Sequence, residues 1–108
     1  MKLDELVNEL GLEIIADGGL DRDISGCFIC DLLSHAMGKV EIDNLWITVQ
    51  TNMNIIAIAV LTELSAIIIA QGMDVPENVI EKANDEGVTV LRSEKTAYEL
   101  ALMIGERI

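Results

Sequence analysis

Residues 20–37, LDRDISGCFICDLLSHAM, decide how this chain is read. Just before them, Asp17-Gly18-Gly19 marks a turn, since glycine takes positive φ without steric cost. Ile24 to Cys30 is apolar apart from Ser25 and Gly26, as in a buried strand. Asp31 stands where a helix N-cap belongs, its carboxylate facing the free N–H groups of the next turn. Leu32, Leu33, Ala36 and Met37 give that helix an apolar stripe, and Gly38 ends it. A strand followed directly by a helix is the unit of an α/β fold.

On the amino-terminal side, Leu3, Leu6, Val7 and Leu10 follow helical spacing, and Gly11 closes the helix. Leu12 to Ala16 is a short strand leading into the Gly18-Gly19 turn. On the carboxyl-terminal side, Lys39 to Asn44 is loop-like and Leu45-Trp46-Ile47-Thr48-Val49 is a strand. Asn52 to Gln71 is nearly long enough to span a bilayer, but Glu63 with Thr62 and Ser65 would be costly in lipid. It divides into a helix, Asn54 to Leu64, and a strand, Ala66 to Ala70. That helix is apolar nearly all round, which predicts deep burial. Pro76 opens the next helix, Val79, Ile80 and Ala83 line it, and Gly87 stops it. Val88 to Leu91 is a strand. Ser93, or Thr96 as second choice, caps a last helix carrying Ala97, Leu100, Ala101 and Ile104. Crossovers of this length predict a mainly parallel sheet of about five strands with helices on its faces, one domain over residues 1–108.

Composition narrows the function. The chain is 51% hydrophobic but only 3% aromatic, so its core is aliphatic, which favours layered α/β packing. A net charge of −12 argues against nucleic acid and anionic membranes as partners. Met1-Lys2 leads straight into the first helix without a signal-peptide core, so a cytoplasmic location is expected. No cofactor is implied.

Cys27-Phe28-Ile29-Cys30, with His35 close behind, has the spacing of a redox or metal motif. On a regular strand, residues three apart face opposite ways, and no second cysteine pair completes a four-ligand set. The cysteines are therefore read as small core residues, and His35 as a surface histidine. Gly38-Lys39 lacks the upstream glycine of a phosphate loop, and Gly18-Gly19 lacks dinucleotide-binding spacing. No catalytic signature emerges.

The stronger signal is a convergence. Ligands of open parallel sheets sit beyond the carboxyl ends of the strands. Here successive ends carry Thr51, Asn52 and Asn54, then Gln71 and Gly72, then Ser93 and Thr96. These are the expected ligand-binding residues, with helix starts adding N–H groups that favour anions.

Leu20-Asp21-Arg22, Ile24, Gly26 and Asp31-Leu32-Leu33-Ser34 with Met37 resemble the DRTGG domain. So do the Leu45 to Val49 strand and the polar turn and apolar helix after it. The likeness covers nearly the whole chain and extends distantly to the N-terminal domain of HPr kinase/phosphorylase. It implies a regulatory module rather than an enzyme, because such domains accompany CBS domains in regulated pyrophosphatases and precede phosphotransacetylase domains. In the pyrophosphatases they help form a dimer that senses adenine nucleotides. Short stand-alone members occur in anaerobic bacteria and archaea, some encoded near iron-hydrogenase or histidine-kinase-like genes. Two departures fall at the expected ligand edge. Gln50-Thr51-Asn52-Met53-Asn54 replaces a glycine-aspartate-arginine turn, and Ala70-Gln71-Gly72 replaces threonine-glycine-glycine.

The expectation is a non-catalytic homodimeric module sensing an adenine nucleotide or other phosphate-bearing metabolite. Asp21, Arg22, Gly26 and Asp31 are read as structural, Asp21 and Arg22 tying the Gly18-Gly19 turn to the sheet. One alternative is a ligand-free subunit docking on a hydrogenase-type redox enzyme or a signalling kinase. A third is a metal or redox protein using Cys27, Cys30 and His35.

Overall fold

The computed structural model describes residues 1–108 throughout. In chain order the elements are α1 (Leu3–Leu10), β1 (Glu13–Ala16), β2 (Gly26–Ile29), α2 (Leu33–Lys39), β3 (Asn44–Thr48), α3 (Asn54–Thr62), β4 (Ala66–Ile69), α4 (Glu77–Glu86), β5 (Val90–Arg92) and α5 (Ala97–Gly105). The strands form one sheet in the order β1-β5-β4-β3-β2. Strands β2 to β5 run parallel, and β1 joins β5 antiparallel through Glu13↔Arg92 and Ile14↔Leu91. The expected α/β layered fold is present.

Alternation along the central strands separates two cores. One face of the sheet gives Trp46, Ile67, Ile69 and Val90 to a cluster with Ala36, Ile55, Ile56, Val79 and Ala83 of α2, α3 and α4. The other gives Leu45, Ile47, Ala66, Ile68 and Leu91 to a cluster with Leu3, Leu6 and Leu10 of α1 and with Leu100 and Ile104 of α5. Strands buried on both faces read as continuous apolar runs, which is why β4 is Ala-Ile-Ile-Ile. Trp46 is wholly buried, and its Nε1–H donates to the Cys30 carbonyl at 2.9 Å.

Several local expectations are corrected. Strand β2 is shorter than Ile24 to Cys30 and only half-buried, because it is an edge strand with one neighbour. Asp31 does not cap α2. Its Oδ1 instead accepts from Thr48 Oγ1 at 2.8 Å and from the Val49 N–H at 3.0 Å, bridging the ends of β2 and β3. Gly38 lies inside α2, which ends at Lys39 with Val40 as its C-cap. Only Ala36 of that helix is fully buried, while Leu32 and Met37 face solvent. Helix α3 is not buried all round, since Val60 and Leu61 are 46% and 68% exposed. Thr96 rather than Ser93 caps α5, accepting from the Glu99 N–H, and the Thr96 N–H donates back to the Glu99 carboxylate. That returned bond holds the Glu99 carboxyl below its usual range.

Within the Gly18-Gly19 turn only Gly19 has positive φ, at 113°. Gly18 is there for proximity: its N–H donates to Thr89 Oγ1 at 2.9 Å, and its Cα lies against the backbone of Gly87 and Thr89. No helix is long and apolar enough to cross a membrane.

Candidate functional site

The two cores locate a switch point. Helix α4 leaves β4 toward one face of the sheet, and α5 leaves β5 toward the other. Adjacent parallel strands whose connections part in this way open a crevice at their carboxyl ends, where ligands of α/β sheets bind. Gln71, Gly72, Ser93 and Thr96 all belong to the two loops that meet there.

The structure shows how those loops are held. Gln71 and Gly72 are both left-handed, at φ 61° and 62°. Their N–H groups donate to the carbonyls of Lys95 and Ser93, each at 2.8 Å. Ser93 Oγ accepts from the Lys95 N–H at 3.1 Å. The Glu94 carboxylate lies over Gly72, where a Cβ would sit 2.2 Å from Oε2. Close approach to Gly72 is therefore already taken by a side chain, which corrects the expectation of an open glycine.

Charges at this edge are mostly committed. Arg92 donates to both oxygens of Glu13, at 3.0 and 3.2 Å, and lies 3.5 Å from Asp74. Lys95 makes no ion pair; of the seven basic residues, only Lys39 shares that state. Beside it, the Ala97 and Tyr98 N–H groups at the start of α5 have no protein partner. A crevice of about 300 Å³ lined by Gly11, Glu13 and residues Arg92 to Lys95 adjoins this point.

Thr51, Asn52 and Asn54 are carried one strand further along the same edge. Asn52 Oδ1 accepts from the Asn54 N–H at 2.9 Å, and its amide donates to Gln50 Oε1 at 3.3 Å. Asn54 lines a separate groove of about 360 Å³ between α3 and α4, with Met53, Ala57, Val60 and Lys82. The expected site thus divides into the β4–β5 switch point and a polar turn beyond β3.

Arg22 lies at the opposite, amino-terminal edge. Its Nε donates to Asp43 Oδ1 at 3.1 Å and its NH2 to the Glu63 carbonyl. It ties the approach to β2 to the start of β3 and the end of α3, not to the Gly18-Gly19 turn, which Thr89 holds instead. Asp21 is an exposed partner of Lys2 at 3.5 Å and does not join that network. Arg22→Ala is expected to cost about 1–2 kcal/mol without any ligand, read as a lower melting temperature in calorimetry. Gly26 packs against Asn44, whose Nδ2 would lie 3.3 Å from an added Cβ.

The cysteine reading as core residues agrees with their surroundings. Cys27 packs with the α1–α5 core and Cys30 with the α2–α4 core, on opposite faces of the sheet. Burial pushes the Cys27 thiol up to about 11, and the Cys30 thiol donates to the Leu32 carbonyl at 3.4 Å. His35 is exposed, its ring 6.1 Å from that of Phe28. No group of three His, Cys, Asp or Glu side chains has the arrangement of a metal site.

The sequence already sets Arg92 and Lys95 beside the helix start among only seven basic residues; it gives no sign of Glu94, whose importance comes from the left-handed Gly72 beneath it. Arg92 and Glu13 pair because β1 returns antiparallel to β5, a topology with no local signature.

Comparison with known proteins agrees with the fold. The crystal structure of the CBS and DRTGG domains of the regulatory region of Clostridium perfringens pyrophosphatase, complexed with the activator diadenosine tetraphosphate, is similar to this chain with a TM-score of 0.73 at 15% identity. The alignment covers 94% of this chain and 45% of that one, so the chain spans less than half of its structural neighbour. No curated protein matches. The sequence pattern of the DRTGG domain matches residues 5–107, from within α1 to two residues past α5. The chain belongs to the DRTGG domain family.

Proposed function

We propose that this chain is a non-catalytic regulatory module that senses an adenine nucleotide or another phosphate-bearing metabolite at the β4–β5 switch point. The observation that carries the reading is the meeting there of Ser93, the uncommitted Lys95 and the free N–H groups opening α5. A helix start and an unpaired cation are what an anionic group needs in a chain of net charge −12. Family membership and the fold shared with a pyrophosphatase regulatory region support a regulatory role. The diadenosine tetraphosphate of that neighbour makes adenine nucleotides the first ligands to try.

Thermal melting with diadenosine tetraphosphate, ATP, ADP, AMP and inorganic phosphate tests the reading. At a hundred times its dissociation constant, a ligand bound only by the folded state adds about 2.7 kcal/mol. In a domain of this size that raises the melting temperature by roughly 10 °C or more. No shift with any of the five at millimolar concentration would overturn it.

Met53, Ala57, Val60 and Leu61 form an uncharged, exposed stripe on α3. Such a stripe suits a symmetric homodimer as the route by which binding is signalled. Light scattering should give twice the 11.8 kDa chain mass at micromolar concentration. The same stripe favours a second reading, an interaction subunit docking on a redox or signalling enzyme. A monomer without nucleotide response is the outcome that reading expects.

A further inference from the structure

At the amino-terminal edge of the sheet, opposite the switch point, α3 and α4 end side by side. Their C-caps, Glu63 and Gly87, are both left-handed, at φ 55° and 69°. Between them lies a cavity of about 190 Å³ lined by Arg22, Glu63, Ser65, Glu86, Gly87 and Thr89. Ser65 is 2% exposed, and its Oγ is the one buried side-chain polar atom in the chain with no hydrogen-bond partner. Buried polar atoms are nearly always paired, with protein groups or ordered water, so this hydroxyl keeps an acceptor to offer a small partner. The space exceeds the ~30 Å³ share of one water and falls short of the ~300 Å³ at which drug-sized pockets begin. A molecule of few heavy atoms would fit it.

The wall is rich in acceptors. Two helix C-termini bring partial negative charge to the same opening. The Glu63 carboxylate makes no ion pair, and that of Glu86 meets only Lys82, at 3.1 Å. Arg22 is the single cation in the wall, and its Nε and NH2 are spent on Asp43 and the Glu63 carbonyl. Thr89 Oγ1 already accepts from the Gly18 N–H. A carboxylate or phosphate would meet repulsion here, whereas a group rich in N–H donors would not. We infer that this cavity binds a small primary amine, its ammonium donating to Ser65 Oγ and lying near the Glu63 and Glu86 carboxylates. The site is separate from the switch point and does not rest on nucleotide sensing.

Ethanolamine and its neutral isostere ethylene glycol are suitable probes, titrated into the 108-residue chain and followed by amide ¹H–¹⁵N spectra. Ethanolamine should shift the Ser65, Gly87 and Thr89 amides saturably while those of Gln71, Gly72 and Lys95 stay in place. Ethylene glycol should shift none of them. Ser65→Ala removes an unpaired hydroxyl, so it should fold with an equal or higher melting temperature yet bind about tenfold more weakly, the loss of one hydrogen bond to a charged group. Glu63→Gln, on an exposed side chain, should also weaken binding. No saturable shift, an equal response to ethylene glycol, or an unchanged dissociation constant in Ser65→Ala would each overturn the inference.

Discussion

Gly18→Ala is expected to leave little folded protein at physiological temperature. An added Cβ would lie 2.2 Å from the Gly87 carbonyl oxygen, 2.5 Å from its carbon and 2.8 Å from the Thr89 nitrogen. These are backbone atoms held on both sides. The Val88 N–H is bonded to Ala83 at 2.8 Å, and the Thr89 carbonyl accepts from Ile67 in the central sheet at 3.0 Å. Neither can retreat without breaking β5 away from β4. Overpacking costs about 1–3 kcal/mol where side chains can yield, and here none is involved. A loss of at least ~3 kcal/mol lowers the melting temperature by roughly 12 °C or more. Gly19→Ala is the comparison: nothing lies within 4 Å of its added Cβ, and only its φ of 113° resists the change. Circular dichroism melts showing Gly18→Ala as stable as the parent would mean that the turn slides freely over β5.

Glu94→Gln is expected to tighten binding of any phosphate-bearing ligand at the switch point. The Glu94 carboxylate lies over Gly72 beside Lys95, so an incoming anion meets a like charge and a blocked glycine together. Removing one unit charge about 4 Å from a ligand anion is worth about 1 kcal/mol in water, or roughly fivefold in affinity. Lys95→Ala should weaken binding by a similar factor. Gly72→Val should abolish it, because φ of 62° resists a β-branched residue and the new side chain would collide with the Glu94 carboxylate, displacing the loop that holds Ser93 and Lys95. Ser93→Ala loses a hydroxyl but not the helix cap, which Thr96 provides. Calorimetry in which the Glu94 and Lys95 variants both bind like the parent would move the site elsewhere.

Much of the fold was legible because periodicity is a local property. The run Leu45 to Val49, the division of Asn52 to Gln71 at Glu63, and the glycines after α1 and α4 all follow from short-range rules. What escaped depended on neighbours distant in sequence. Asp31 has a capping residue's chemistry, but Thr48 and Val49 of the adjoining strand offer better donors. Met37 and Leu32 look like core residues, yet α2 sits over the sheet edge and buries little beyond Ala36. A helix as apolar as α3 carries no pattern to say which side faces out. The strand-end residues lie along one edge of the sheet but divide between the β4–β5 switch point and the turn beyond β3. Their occupancy by Glu94, and the closure of the loops by two backbone hydrogen bonds, became visible only in three dimensions.

The antiparallel seat of β1 beside β5 has a consequence for how the chain is made. Glu13 pairs with Arg92, 79 residues later, and Glu9 with Arg107, 98 residues later. On a ribosome adding about 5–20 residues per second, the first strand waits roughly 4–16 s for its neighbour to be synthesised. During that interval α1 has no completed sheet to cover, and its Leu3, Leu6 and Leu10 stay open to chaperones and proteases. Nascent chains stalled before Val90 should therefore lose α1 and β1 to brief proteolysis, while released chains keep them.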